Sequence, residues 1–499
     1  MRLTALVLAA LAAAPADPID RRIEERWKAE GATPAGVADD YEFFRRLSID
    51  LRGVIPEPAE IRAFAADRAP DKRERIVDAW LRSDAFAAWW SHRWAEDLTV
   101  QPTPKIAEVS ESFRGWLRDA VRTNMPYDRF ARRLLTAKGP SDLDPAAGFL
   151  VTGFWNNPEG PKDVIDRTAR IFLGTQIRCA ECHDHPFDAW TQEEFYGMAS
   201  FLWQVRTEIS QNGGAMMAAG TMAPAQTGRI VDDAAKGNPA IPGASKETGA
   251  PKYKDGGAPL PGEPRRTALA RLLVQDRQFA RAAVNRHWGM LLGRGLVHPL
   301  DGFTSTRKPS HPELLDEMAE EFVRSGYDVR KLLRSILLSR PYQLSSKSGD
   351  SAAERIFART PVTPLGPDAL FSSLVRATGL DGLKVTSKGK PEPPLKGLRE
   401  AFLREFRPAA PSEPTISQGL FFMNSDVVAR GVKADPDLRL GKLLASEPDP
   451  ARRLEELFLA TLSRPPSPKE AKAFAAGTAS ECENVLWALL NSTEFVTRH

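Results

Sequence analysis

"SDAFAAWWSHRWAEDL", residues 83–98, decides the fold class of this chain. Trp89, Trp90 and Trp94 follow Phe86 at three, four and eight positions. That recurrence gathers four aromatic rings on one face of a helix, whereas a strand would scatter them over both of its faces. Ser83 stands where an N-cap belongs. The same period continues on either side. In "SFRGWLRDAVRTNMPYDRF" (112–130), Phe113, Trp116, Leu117, Ala120 and Val121 share a face, and Pro126 ends the run. In "KDVIDRTARIFLGTQIRC" (162–179), Ile165, Ala169, Phe172 and Leu173 do the same, and Gly174 is the natural stop. Cys179 therefore begins just beyond a helix end.

Residues 206–264 break the pattern. "QNGGAMMAAGTMAPAQTG" (211–228) and "GNPAIPGASKETGAPKYKDGGAPLPGEP" (237–264) are dense in Gly, Pro, Ala and Lys, and read as a linker with at most a small β-hairpin. Helical periodicity returns after residue 265. Ala280, Val284, His287, Trp288 and Leu291 form one face. Ser310 is placed to cap a helix with Pro312 in its first turn, carrying Leu314, Leu315, Met318, Phe322 and Val323. Asp328 is placed to cap another, carrying Leu332, Leu333, Ile336 and Leu337. A second Pro/Lys/Gly-rich stretch lies near 385–397, and the last helices cover about 450–495. Alternating strand patterns are scarce. The expected fold is mainly α, two helical domains joined by a Gly/Pro-rich linker: a signal peptide at 1–16, a helical domain with the cysteine motif at 17–205, the linker at 206–264 and a helical C-terminal domain at 265–499.

The chain has 499 residues, with 68 basic and 65 acidic side chains that leave a net charge of +3. So small an excess gives no electrostatic footprint for nucleic acid. The start is Met1-Arg2, then "LTALVLAALAAA" (3–14) and a small-x-small site ending at Ala16, the pattern of a secretory signal. The apolar run is shorter than the roughly twenty residues a membrane span needs. The expected location is outside the cytoplasm, in the periplasm or cell envelope, with no transmembrane segment after cleavage.

"RCAECHDHPFDAW" (178–190) holds two of the three cysteines and two of the seven histidines. Cys179, Cys182 and His183 satisfy C-x-x-C-H, the covalent haem attachment pattern. Two thiols three positions apart can reach the two vinyl groups on one haem edge, and the following histidine is then placed under the iron. Three readings fit the residues. One is haem c, held by Cys179, Cys182 and His183. Another is a Zn or Fe site that uses the two thiolates with His183, His185 or both, in a hydrolase or oxidase acting on exported polymers. The last is a Cys179–Cys182 disulfide, redox-active or stapling the fold of a cell-surface scaffold. With haem, Met198 is a candidate for the sixth iron position. Met216, Met217 and Met222 lie in the linker, and the iron could instead be five-coordinate. His287 on its apolar face and His311 near a helix start read as structural histidines. Cys482 reads as a small buried hydrophobe. A redox or cell-envelope protein is the expected partner. No P-loop, G-x-S-x-G or H-E-x-x-H motif occurs.

Several longer blocks carry a resemblance. "FFRRLSIDLRGVIPEPAEIRAF" (43–64), "PDKRERIVDAWLRS" (70–83) and "RIFLGTQIRCAECHDHPFDAWTQEEFYGMASFLWQV" (170–205) resemble the haem-motif domain of the planctomycete cytochrome-c-like exported proteins, a family of unknown function. "FARAAVNRHWGMLLGRGLVHPLDGF" (279–303), "SHPELLDEMAEEFVRSGYDVRKLLRSILLSRPYQLS" (310–345), "TISQGLFFMNSDVV" (415–428), "LFLATLSRPPSPKEA" (457–471) and "VLWALLNSTEFVTRH" (485–499) resemble its companion C-terminal domain. The resemblance implies an exported, mainly helical protein in two parts. The family's motif extends through a His-Pro pair, matching His185 and Pro186, which a simple haem c does not need. Two departures stand out. Many relatives carry a further N-terminal cytochrome c domain with its own haem motif, whereas this sequence shows one such motif. Relatives often have cysteines just before the block matching "TISQGL", where this sequence reads "RPAAPSEPT" (407–415). His287 falls where relatives usually have an aliphatic residue.

Overall fold

The computed structural model describes residues 18–99, 107–186, 188–216, 222–242, 249–347, 351–382, 395–406, 419 and 422–499. The signal-like start, Met217, the side chains of Met216 and Met222, and most of the 385–397 stretch lie outside the described residues.

Helices dominate, and the sheets are small. The Asp84–Leu98 helix starts as its sequence directs: the Ser83 hydroxyl accepts from the Phe86 amide at 3.1 Å. Its buried stripe runs through Phe86, Ala87, Trp90, Trp94 and Leu98. Trp89 sits at the edge of that stripe, half-buried, with its ring against Gly53. Gly53 closes the Asp40–Arg52 helix with φ +67°, its backbone N–H donating to the Ile49 carbonyl. A Cβ at Gly53 would come within 2.3 Å of the Trp89 ring, so both the backbone angle and the close approach require glycine.

The Gly160–Thr168 helix runs on into a π-turn at Ala169–Leu173 and ends at Gly174, φ +65°, where the sequence places the stop. Ser310 does not cap its helix. Pro312–Arg324 starts one residue later, from His311, and Val323 faces solvent rather than the core. Asp328 does cap the Val329–Leu338 helix, accepting from the Lys331 amide at 3.0 Å.

The Gly/Pro-rich stretch contains the hairpin. Val205–Met216 pairs antiparallel with Met222–Asp232, with a register shift between Asn212 and Ala215. Gly139–Pro140 adds a short third strand beside Ile230 and Arg229. Buried Arg266 pins this sheet to two helices. Its guanidinium pairs with both Asp232 oxygens at 2.7 Å, and donates to the Leu135 and Ala137 carbonyls at 2.8 Å.

The apolar core does not part at that stretch. Helices before and after it share one cluster that runs from Ile19 to Ala358 and takes in Leu459 as well. The Arg277–Leu292 helix lies within it, burying Phe279, Ala283, Val284, His287, Trp288 and Leu291. The His287 ring stacks on Trp90 with centroids 5.8 Å apart and planes 3° apart. A second cluster gathers around residues 365–495, joined by Ile49, Val54 and Ile55.

A buried polar clasp ties the two clusters through the Asp40–Arg52 helix. Asp50 accepts from Arg498 Nε at 2.7 Å and Nη2 at 2.8 Å, and from the Tyr342 hydroxyl at 2.8 Å. Arg46 pairs with Glu42 at 2.8 Å and donates to the carbonyls of Tyr342, Leu344 and His499. Arg45 donates to the Thr461, Glu494 and Phe495 carbonyls. Burial lowers the Arg45 guanidinium to about 10. Among the described residues, no helix is long and apolar enough to cross a membrane.

Candidate cofactor-attachment site

The cysteine loop is built on the Gly160–Thr168 helix. The Asp166 carboxylate, raised in pKa by burial, accepts from the Ile177 and Arg178 amides at 3.3 and 3.1 Å. This starts a 3-10 turn at Arg178–Glu181, with Cys182 as its last, half-helical residue. Side chains three apart eclipse one another in such a turn. Cys179 and Cys182 therefore leave it on the same side. Between them Ala180 is fully buried and anchors the turn to the core.

Ion pairs brace the backbone rather than the thiols. Lys162 pairs with Glu159 and Glu181 at 2.8 Å each, and Arg178 pairs with Asp163 and Glu181. The Gln192 amide side chain donates to the Glu181 carbonyl at 3.0 Å, and the Gln192 backbone amide donates to Asp184 at 2.9 Å. Thr191 and Glu194 form a capping box that starts the Gln192–Ser200 helix directly after the loop.

The chemistry-bearing groups stand outside this scaffold. Cys179 and Cys182 are exposed free thiols, and His183 is exposed. His183 Nδ1 lies 2.7 Å from the Asp184 carbonyl oxygen. A carbonyl can only accept, so in the neutral ring Nδ1 carries the proton and Nε2 holds the lone pair. That is the tautomer an axial or metal-ligating imidazole needs. His185 is half-buried, and its backbone amide donates to the Trp190 carbonyl at 2.7 Å, closing the loop. Asp188 fastens the loop to the later segment by accepting from the Ser305 amide at 2.8 Å.

The remaining sequence candidates lie elsewhere. Met198 is fully enclosed in the core on the Gln192–Ser200 helix. His287 donates through Nδ1 to the Ala283 carbonyl at 2.7 Å, and burial pushes its pKa down to about 4. Its Nε2 is buried without a hydrogen-bond partner. His311 is buried beside Ser310, and burial likewise lowers it to about 4. Cys482 is buried, with its sulfur 3.4 Å from the Ala476 carbonyl and its thiol pKa raised by burial.

The structure also brings together a group that sequence reasoning missed. His92 Nε2 lies 3.3 Å from Asp368 Oδ2 and 3.8 Å from Glu96 Oε1. Among the described residues, these three form the metal-ligand grouping whose atoms all lie within 4.8 Å of one another; the cysteine loop does not form one. The i,i+4 spacing of His92 and Glu96 was visible in the sequence. Asp368 was not, because it comes from a distant helix.

With this geometry in hand, two family matches are informative. Residues 18–207 match the family described as PSCyt2, a protein of unknown function (DUF1549), and residues 265–407 match PSD1, a protein of unknown function (DUF1553). The two occur in that order: a planctomycete cytochrome-c-like domain of unknown function, then a second domain of unknown function. No curated protein and no solved structure matches it.

Proposed function

We propose that this chain is an exported c-type haem protein in which Cys179 and Cys182 carry the haem and His183 is its proximal ligand. The observation that carries the reading is the arrangement of the loop: two exposed thiols on one side of a 3-10 turn, followed by an exposed histidine whose Nδ1 is already tied to a carbonyl. With haem bound, each thiol would add across one vinyl C=C, its sulfur bonding one carbon and its proton going to the other, so no oxidant would be required. Bound there, haem supplies one-electron redox chemistry.

The residues around the loop hold it in place without filling it. Ala180 and the Asp166 cap fix the turn, and Lys162, Arg178 and Glu181 brace it. Exposure of the loop suits electron exchange with a protein partner at the surface, in the periplasm or cell envelope to which residues 1–16 direct the chain. The Zn or Fe alternative needs Cys179, Cys182 and His183 or His185 to converge on one point, and among the described residues they do not form such a group. The test is a pyridine haemochrome spectrum on protein exported together with haem-maturation machinery. A covalent haem c band is expected, and it should survive His185→Ala. Absence of the band under those conditions, with stoichiometric Zn or Fe that His185→Ala removes, would replace haem by the bare metal.

A further inference from the structure

We propose that His92, Glu96 and Asp368 form a Zn2+-class divalent-cation site that clamps the Asp84–Leu98 helix to the Pro367–Thr378 helix. The site is independent of the cysteine loop. It sits where the two apolar clusters meet, since the first helix belongs to one and the second to the other.

Four observations carry the assignment. His92 and Glu96 are one helical turn apart and project from the same face. Asp368 enters from the first turn of its own helix, where a carboxylate is favoured by the helix dipole, and is buried. His92 Nε2 is shut off from solvent yet makes no well-aligned hydrogen bond. The His92 ring stacks on Trp89 at 5.7 Å, and Trp89 is itself held against Gly53, so the imidazole is oriented from its far side.

The distances suit a metal. Zn–N and Zn–O bonds of about 2.0–2.2 Å at tetrahedral angles place neighbouring ligand atoms roughly 3.3–3.6 Å apart. The observed separations are 3.3 Å to Asp368 and 3.8 Å to Glu96. One imidazole and two carboxylates are an N/O donor set of the kind Zn2+ accepts, leaving the fourth position to water. Arg399 pairs with the other oxygen of Asp368, Oδ1, so it occupies a different edge of the carboxylate from the one facing His92.

A protonated His92 held between the two carboxylates is the competing occupant, and metal uptake separates the two. The full chain carrying Cys179→Ser and Cys182→Ser is stripped of metal and titrated with Co2+, then with Zn2+. Equimolar Co2+ uptake is expected, with a visible d–d spectrum and no thiolate charge-transfer band. Zn2+ should displace the Co2+ and raise the melting temperature. Glu96→Gln, at an exposed position, should weaken binding by at least the roughly 10–100-fold seen on losing an outer-shell partner. His92→Gln should abolish it. Failure to take up metal in the double-Ser background, or unchanged affinity in Glu96→Gln, overturns the proposal and leaves the ionic pair. Neither result bears on haem attachment, because the cysteines are absent throughout.

Discussion

The Asp50 clasp and the cysteine loop use reactive side chains in opposite ways. In the clasp, Asp50, Arg46, Arg498 and Tyr342 are buried, and Asp50 holds Arg498 through both carboxylate oxygens and accepts from the Tyr342 hydroxyl at one of them. Each group there holds segments that are far apart in sequence: the Asp40–Arg52 helix, the turn at Arg340–Gln343 and the chain end at Arg498. In the loop, the thiols and the imidazole are exposed, and the bracing falls to Asp166, Lys162, Arg178, Glu181 and Gln192. A buried charge is costly unless it is paired and hydrogen-bonded. Exposed Cys179, Cys182 and His183 carry no such duty. The contrast separates residues that make the fold from residues available to a ligand.

The strongest way to break this contrast is Asp50→Ala. It strands Arg498 and the Tyr342 hydroxyl in the interior, and a loss of about 3–5 kcal/mol in urea unfolding is expected. A loss below about 1 kcal/mol would show that the clasp is not the structural element described.

The pH profile sharpens the same point from the core side. His287 is neutral when folded, with its pKa lowered by burial from the usual 6.5 to about 4. As pH falls through 6.5 the unfolded chain takes up a proton that the folded chain refuses until about pH 4. Stability is therefore lost between about pH 6.5 and 4, by up to roughly 3 kcal/mol from this residue. His311 at about 4 and His499 at about 3, both lowered chiefly by burial, act in the same direction. His287→Leu should flatten the acid limb of a stability-versus-pH curve, and an unchanged limb would remove His287 from the account.

Gly53→Ala should cost about 2 kcal/mol, since it forces a Cβ into a positive-φ position and against Trp89. The smallest effect is expected in the loop itself. Cys179→Ser with Cys182→Ser should change the unfolding free energy of the haem-free chain by no more than about 0.5 kcal/mol, as for other exposed positions. A loss of several kcal/mol would make the cysteines structural and erase the contrast.

What could be read from the sequence was local. The helical period of residues 83–98, the Ser83 and Asp328 caps, the stop at Gly174 and the burial of Cys482 all depend on near neighbours, and all are present. The C-x-x-C-H spacing was equally legible, although the turn it forms is 3-10 rather than α. The misses came where register or distance decides. His311 rather than Ser310 opens its helix, and Trp89 turns to the edge of its stripe to meet Gly53. The shared core across residues 206–264, the Asp50–Arg498 pair and the Asp368 approach to His92 leave no periodic trace, because each is fixed by packing between segments hundreds of residues apart.

The central claim is that Cys179 and Cys182 carry haem covalently. The most direct measurement is the intact mass of the denatured, exported chain, compared with that of the Cys179→Ser/Cys182→Ser form made in the same cells. The wild-type chain should be heavier than its own polypeptide by one haem, and the double variant should match its polypeptide alone. A wild-type mass equal to the bare polypeptide, in cells whose maturation machinery loads a control cytochrome c, would contradict the account.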